Sequence, residues 1–407
     1  MSAGIALRAA VVTLGLEHRP EQAVNGARGD ARDAAPTEAQ VLLFSSGEEN
    51  AVLVGADVIW FASEQAELLR AEIARRTGAR EEAVTLCATH THGTPDPDRR
   101  FAYGQWSAGL VEDISARILQ AVDQALTAQP QPVRIAIGRA AAPGIAINRR
   151  RVAWLHQGLR WHRRVQNLPN PSRHVDDRVT VLAFLSAESG RPAALAVHFA
   201  CHPVADPADR RGADFPGFLR QALCRRFGPE MAILFLQGFC GDVRPALVHR
   251  PHGLKDRLVQ VLIGDRFRPA EREDSTRIGA ALAACVDKAL VEAKPVGPLA
   301  LKARREKIPL ADIDQAPTGR DLDVTVWRWS DDLRLIFASA EMLSGLAPTV
   351  PDTIAVGYSN GMVGYLAPPE DYAGGGYEID GFLPRFGLAK RFDPGFGAVF
   401  ARLAAGA

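Results

Sequence analysis

Val84–Thr85–Leu86–Cys87–Ala88–Thr89–His90–Thr91–His92–Gly93–Thr94–Pro95 is the stretch that decides how the rest of the chain is read. Residues 84–88 read as a short buried strand, after which the chain leaves the sheet through a polar loop containing Gly93 and Pro95. Two histidines, one residue apart, sit where that strand ends, and the ends of sheet strands are where α/β enzymes place their chemistry. In an extended segment side chains alternate with period two, so His90 and His92 are expected to point the same way. Two neutral imidazoles on one side make half of a metal site. The plainer alternative is a pair of polar residues capping a strand end.

Upstream, 40–44 and 51–54 read as strands joined by a turn over 46–50, while 18–38 is polar and loop-like. A helix follows, with Ser63 as N-cap, Leu68, Leu69 and Ile73 as its apolar stripe, and Gly78 as its stop. Strand, strand, helix, strand is an α/β layered pattern. Downstream, 110–126 is an amphipathic helix, with Ile114, Ile118, Val122 and Leu126 four apart. A strand over 133–137 leads to a loop carrying Asn148–Arg149–Arg150–Arg151. Three consecutive arginines are usually a solvated run; one directed inward would be an anion or carbonyl clamp.

Residues 178–185 and 193–200 read as a hairpin whose second strand ends in Val197–His198–Phe199–Ala200–Cys201–His202–Pro203. His202 thus lies at a strand end, as His90 does, and alternation puts His198 on the same side. Asp214 lies near the positive N-terminus of a helix over 218–226. A strand over 233–236 runs into Gln237–Gly238–Phe239–Cys240–Gly241–Asp242–Val243–Arg244–Pro245, a Gly-rich turn that lets backbone approach a ligand. It lacks the spacing and the lysine of a phosphate-binding loop. Residues 248–272 read as a polar loop or flap, and 276–293 as a helix. Strands follow over 299–308, 324–329 and 333–339, the last ending at Ala340–Glu341. Glu341 is then a third polar group at a strand end, or else an acid in the first turn of a helix. A strand over 354–358, a Gly- and Tyr-rich loop over 361–378 and a short helix over 396–403 complete the chain. With no internal repeat and no clear linker, the expectation is one large α/β domain over 1–407. Its mixed sheet would be flanked by helices, with the metal site at the strand-end rim and 248–272 as an insertion.

The 407 residues are 47% apolar and carry a formal charge of +1, so no nucleic-acid or other polyanion partner is implied. Five scattered cysteines without a Cys-x-x-Cys suit reduced thiols in a cytosol. Residues 1–16 do not look like a signal peptide, and no run reaches membrane-spanning length. A cytoplasmic protein acting on a small molecule, with no membrane partner, is expected.

The motifs in order carry a resemblance. Thr89–His90–Thr91–His92–Gly93, Asn148–Arg149–Arg150, Phe199–Ala200–Cys201–His202–Pro203, Gly238–Phe239–Cys240–Gly241–Asp242–Val243, Ala340–Glu341 and Tyr365–Leu366–Ala367–Pro368–Pro369–Glu370–Asp371–Tyr372 resemble the neutral ceramidase family. The family pattern runs S-H-T-H-S-G-P, N-R, a His after an apolar strand, G-D-V-S-P-N, a Glu, and Y-V-T-T-P-E-E-Y…R-Y-E. The likeness spans roughly 51–378, with Tyr365 and Tyr377 twelve apart as in the family. It implies a zinc amidohydrolase whose metal is held by His90, His202, Glu341 and Tyr365. It further implies that His92 and Arg149 lie on the substrate carbonyl and that Tyr377 helps stabilise the oxyanion. An ester or lactam would serve the same machinery, and a non-catalytic binding protein on a hydrolase scaffold is the rival from another class.

Two departures set this chain apart. Arg244 stands where the family has a serine in G-D-V-S-P-N, and Ala246 stands at its asparagine. Only about thirty residues follow Glu378, so the family's C-terminal β-sandwich is not expected, and the chain resembles shorter bacterial relatives. Arg244 is expected to pair with Asp242 or Asp214, or to await an anionic substrate group; the second, with Asp242 as a further substrate contact, is the reading taken forward. His198 is read as a core or supporting residue.

Overall fold

A computed structural model describes residues 4–28, 33–101, 104–157, 160–297, 300–331, 333–350 and 353–405. A nine-stranded mixed sheet forms its centre. One half of it holds β1 (Ile5–Thr13), the hairpin β2 (Glu38–Ser46) and β3 (Glu49–Ala56), and β4 (Val84–Ala88), which runs parallel to β3. β5 (Gln131–Ala141) joins the other side of β1. Between β5 and the rest of the sheet the chain makes the long hairpin of β6 (Ala146–Gln157) and β7 (Arg160–Asn170). The sheet resumes with β8 (Arg178–Ser186), antiparallel to both β5 and β9 (Pro192–Phe199), and ends at β10 (Ala232–Gln237), parallel to β9.

Alternation along these strands feeds two apolar layers. Val41, Leu43, Val54, Leu86, Val197 and Phe235 pack with residues of α1 (Ser63–Thr77), α2 (Ala108–Thr127), α3 (Asp214–Phe227) and α5 (Arg272–Val291). Leu42, Phe44, Leu53, Leu182 and Leu234 face the other way, onto Trp327, Trp329, Leu335 and Phe337 of a second, four-stranded sheet. That sheet is β13 (Lys302–Ala311), β14 (Pro317–Ser330), β15 (Leu333–Ala338) and β17 (Thr353–Val356) in this order, with β15 and β17 parallel. α6 (Phe396–Ala405) lies against β13 and β14. Short pieces complete the sheets: β11 (Val243–Pro245) pairs with β6, β12 (Lys294–Pro295) with β5, and β16 (Glu341–Met342) runs parallel to β18 (Tyr365–Leu366).

The expected mixed α/β sheet with flanking helices is therefore present, and the second sheet layer is an addition to it. β1 was not expected. The segment 148–151, read as loop, is strand β6, and 248–272 is not simply a loop, because α4 (Gly253–Ile263) lies within it. Leu68, counted in the apolar stripe of α1, is 75% exposed.

The topology brings three parallel strand pairs to one rim. β4 ends before His90, β9 before His202, and β15 before Glu341, so each reaches the rim with its C-terminal end. Isolated bridges Cys87–Ser359 and Gly238–Val356 stitch the two sheets together there.

Candidate metal centre

Each metal-ligand candidate is held from behind by backbone. His90 leaves β4 with φ +67°, a left-handed conformation that non-glycine residues rarely adopt. Such a residue persists only where its surroundings over-determine it. Here the His90 N–H donates to Val58 O at 3.0 Å, its Nδ1 bonds Ile59 O at 2.8 Å, and the Tyr358 ring stacks on it at 3.9 Å between centroids. The alternation argument for His90 and His92 thus does not describe the molecule: the strand has already ended. The two rings nevertheless meet, perpendicular at 89°, with their Nε2 atoms 3.4 Å apart.

His202 is fixed in the same way. Its Nδ1 lies 2.8 Å from Cys240 O and 3.1 Å from Val243 O. A carbonyl only accepts, so Nδ1 carries the proton in both His90 and His202, and each Nε2 keeps its lone pair for a ligand bond. His202 Nε2 is buried with no hydrogen-bond partner. Ligand nitrogens of His90, His92 and His202 all lie within 4.8 Å of one another. Glu341 Oε2 stands 3.5 Å from His90 Nε2 and 3.3 Å from His202 Nε2. Tyr365 is brought to Glu341 by the parallel β16–β18 pairing, which sets the two residues side by side, and the phenol hydrogen-bonds the carboxyl. Gly241 lets this ladder come close, since a Cβ there would sit 3.1 Å from Glu341 O and 3.0 Å from Leu343 Cδ1.

The electrostatics suit a cation. Burial pushes His202 down to about 3, helped by the charges of Arg149 and Arg244. His90 and His92 are also held well below the usual histidine range, again mainly by desolvation. All three are neutral imidazoles at neutral pH. Burial raises the Glu341 carboxyl although His90, Tyr365 and Arg149 favour its charge. A divalent ion fits this donor set: it would satisfy the orphaned His202 nitrogen and offset the cost of a buried carboxylate.

Beside the cluster, Arg149 donates from Nε to Glu378 Oε1 at 2.7 Å and from Nη2 to Gly241 O at 2.8 Å and Tyr365 Oη at 3.3 Å. Burial opposes its charge, but Glu378 and then Tyr365 more than restore it. The Tyr377 ring packs edge-on to Tyr365 at 5.6 Å and lies under the Arg149 guanidinium at 5.9 Å. His90, His92, His202, Glu341, Tyr365, Arg149 and Tyr377 are therefore gathered in one place. The arginine run is not solvated: Arg149 and Arg150 are both buried.

Asp242 needs a different account from the one expected. It is fully buried; its carboxylate accepts from Asn148 Nδ2 at 2.7 Å, Ser344 N at 2.7 Å and Ser344 Oγ at 3.0 Å, while its carbonyl accepts from Arg149 N at 2.8 Å. It fixes the Arg149 strand rather than facing a ligand. Arg244 pairs with neither Asp242 nor Asp214; its guanidinium lies 4.3 Å over the Phe267 ring. His198 stands apart, bonded to Ala355 O at 2.9 Å.

Sequence reasoning missed two residues. Tyr358, read only as a strand end, stacks on His90 and bonds Glu341 Oε2 at 3.4 Å. Glu378 takes Arg149 on one oxygen and Arg150 on the other, both at 2.7 Å. The signal for Glu378 was present as the final acid of the Y-E pair.

The site is thus a three-histidine cluster, with His90 and His202 buried and His92 half-buried, beside a buried carboxylate, set where two stacked sheets meet in an α/β domain. No protein-family model matches the chain, and no curated protein matches it. Among solved structures, this fold is that of neutral ceramidase. The crystal structure of neutral ceramidase from Pseudomonas aeruginosa superposes with a TM-score of 0.73 at 16% identity, covering 99% of this chain and 74% of that one. A ceramidase complexed with C2 gives 0.73 at 15% identity, with the same coverage.

Proposed function

We propose that this protein is a zinc-dependent hydrolase of an amide bond in a small molecule, with His90, His202, Glu341 and Tyr365 holding the metal. The observation that carries the reading is the buried, unpartnered Nε2 of His202, aimed with His90 Nε2 at one carboxylate oxygen. The ceramidase fold of the chain supports the same chemistry. Backbone acceptors separate the roles of the histidines. Metal-ligating histidines almost always give their second N–H to a carbonyl or carboxylate. His90 and His202 do so, whereas no such bond to His92 is present among the described residues, which leaves His92 for the proton.

A bound zinc ion would supply a Lewis acid for the carbonyl and bring the pKa of water towards neutrality. The rest belongs to the chain. Water adds to the carbonyl carbon, the C–N bond breaks, and the proton that water gives up passes to the leaving nitrogen. His92, neutral at working pH, is placed to accept that proton and return it. Arg149, held rigid by Glu378, and the Tyr377 hydroxyl would donate to the oxygen on which negative charge develops. We place this activity on a small molecule in the cytoplasm, in keeping with five unpaired cysteines. Among the described residues no helix is long and apolar enough to cross a membrane.

The test is amine release from N-acyl compounds and lactams by chelated and zinc-restored protein. Turnover that returns with zinc supports the proposal. Stoichiometric metal with no turnover on any amide, lactam or ester would make the chain a metal-binding protein instead.

A further inference from the structure

Arg244 is a half-buried cation without a counter-ion among the described residues, its Nε shut away from solvent, and that singles it out. The buried arginines Arg70, Arg149, Arg150, Arg210 and Arg220 each reach a carboxylate, and Arg211 bonds the carbonyls of Leu16 and Arg19. Arg244 has no ion pair and no hydrogen bond among the described residues, and its Nε is buried without a partner. The residue sits on β11, directly after the Asp242 turn, with its guanidinium over the Phe267 ring. Its charge reaches the metal cluster, because it helps to depress both His92 and His202. Desolvation first, and then the charge of Arg149, bring Arg244 down to about 10, so it remains a cation at neutral pH. Taking a cation even partly out of water without a partner is costly, and an incoming anion would offset that cost.

We infer that Arg244 receives an oxyanion of the substrate, a carboxylate or phosphate lying within a few bonds of the scissile amide. The planar fork of a guanidinium matches the two oxygens of such a group, and the contact with the Phe267 ring restrains the side chain. Asp242 and Asp214, the two carboxylates expected as its partners, are committed elsewhere: Asp242 to Asn148 and Ser344, and Asp214 to the amides of Ala205, Asp206 and Phe215. An incoming anion therefore meets no competing internal partner. The inference rests on the hydrolase reading for the position of the amide, but the anion site itself can be read without turnover.

The experiment is calorimetric binding to the full chain and to Arg244→Gln, with N-acetylglycine, N-acetylethanolamine phosphate and the neutral N-acetylglycinamide as probes. The wild type should bind at least one anion about ten- to hundred-fold more tightly than the neutral probe, the span of a hydrogen bond to a charged group. Arg244→Gln should remove that preference. Which anion binds better identifies the source of the oxygens. Equal binding of all three probes by the wild type, no measurable anion binding, or a preference that survives in Arg244→Gln would overturn the inference. Thermal melting supplies a second readout. Removing an unpaired, half-buried cation should leave the melting temperature unchanged or higher, whereas a structural arginine would lower it by several degrees. Metal content measured on the same samples separates the two proposals: anion preference without metal keeps Arg244 and removes the hydrolase.

Discussion

Glu378→Gln is the substitution with the most to say about how Arg149 is held. The carboxylate is buried and bridges two buried arginines, accepting from Arg149 Nε and Arg150 Nη1, each at 2.7 Å. Glutamine keeps the shape but has one acceptor oxygen, and its NH2 must face the other guanidinium, donor against donor. Arg150 retains the carbonyls of Asp371 and Gly375, and Arg149 retains Gly241 O. Arg149 nonetheless loses its paired carboxylate, and Arg150 is left with only the longer contact to Asp371 Oδ1 at 3.8 Å. Breaking a buried ion pair by removing one partner costs about 3–5 kcal/mol. With roughly 2.1 cal/mol/K of unfolding entropy per residue, 407 residues give about 0.9 kcal/mol/K, so the melting temperature should fall by about 4–6 °C. Scanning calorimetry measures this, with the exposed Glu370→Gln as a control expected to change little. Adding Arg149→Met to Glu378→Gln should cost less than the sum of the single changes, because the charge left unpaired is then gone. A fall below about 1 °C for Glu378→Gln, or strict additivity in the double variant, would refute the view that Glu378 clamps Arg149 by charge.

Three further outcomes are expected. Elemental analysis should find stoichiometric zinc in His198→Ala, whose imidazole bonds only Ala355 O among the described residues, and none in His90→Ala or His202→Ala; metal retained by His90→Ala would sink the ligand assignment. His202 drops from 6.5 unfolded to about 3 folded, so its contribution is full above pH 6.5 and is lost as the pH falls towards 3. Urea midpoints of metal-free protein should then decline between pH 6.5 and 5, before most carboxylates titrate, at up to about 1.4 kcal/mol per pH unit from this group; a flat profile there would contradict its buried neutral state. Gly241→Ala should destabilise by about 1–3 kcal/mol and weaken zinc binding, because its Cβ would crowd Glu341 O and Met342 O; melting and metal affinity unchanged from wild type would show that the close approach does not matter.

How much of this was legible in the sequence differs by element. The hairpin of β2 and β3, the strand β4 and the helices α1 and α2 announced themselves through periodicity and through stops such as Gly78, whose φ is +69°. The second sheet was harder to read, because Trp327, Trp329 and Phe337 signal strands without saying which face they cover. β6 was hidden by its arginines. Run together, they read as a solvated loop, but in the structure Arg149 and Arg150 are buried by a carboxylate more than two hundred positions away. Long-range ion pairs of this kind leave no local pattern. His90 and His92 were found for a reason that proved incomplete: the geometry that joins them is a left-handed turn after the strand, imposed by the carbonyls of Val58 and Ile59, not strand alternation. Tyr358 was missed on similar grounds, since it too has a positive φ, of 53°.

The most direct test of the central claim is anomalous diffraction at the zinc edge from crystals of the zinc-loaded chain. A single peak is predicted about 2.0–2.2 Å from His90 Nε2, His202 Nε2 and a Glu341 oxygen, the bond lengths that zinc keeps to imidazole and carboxylate. No peak between these residues, or a peak bound elsewhere on the molecule, would contradict a metal centre at the rim of the two sheets.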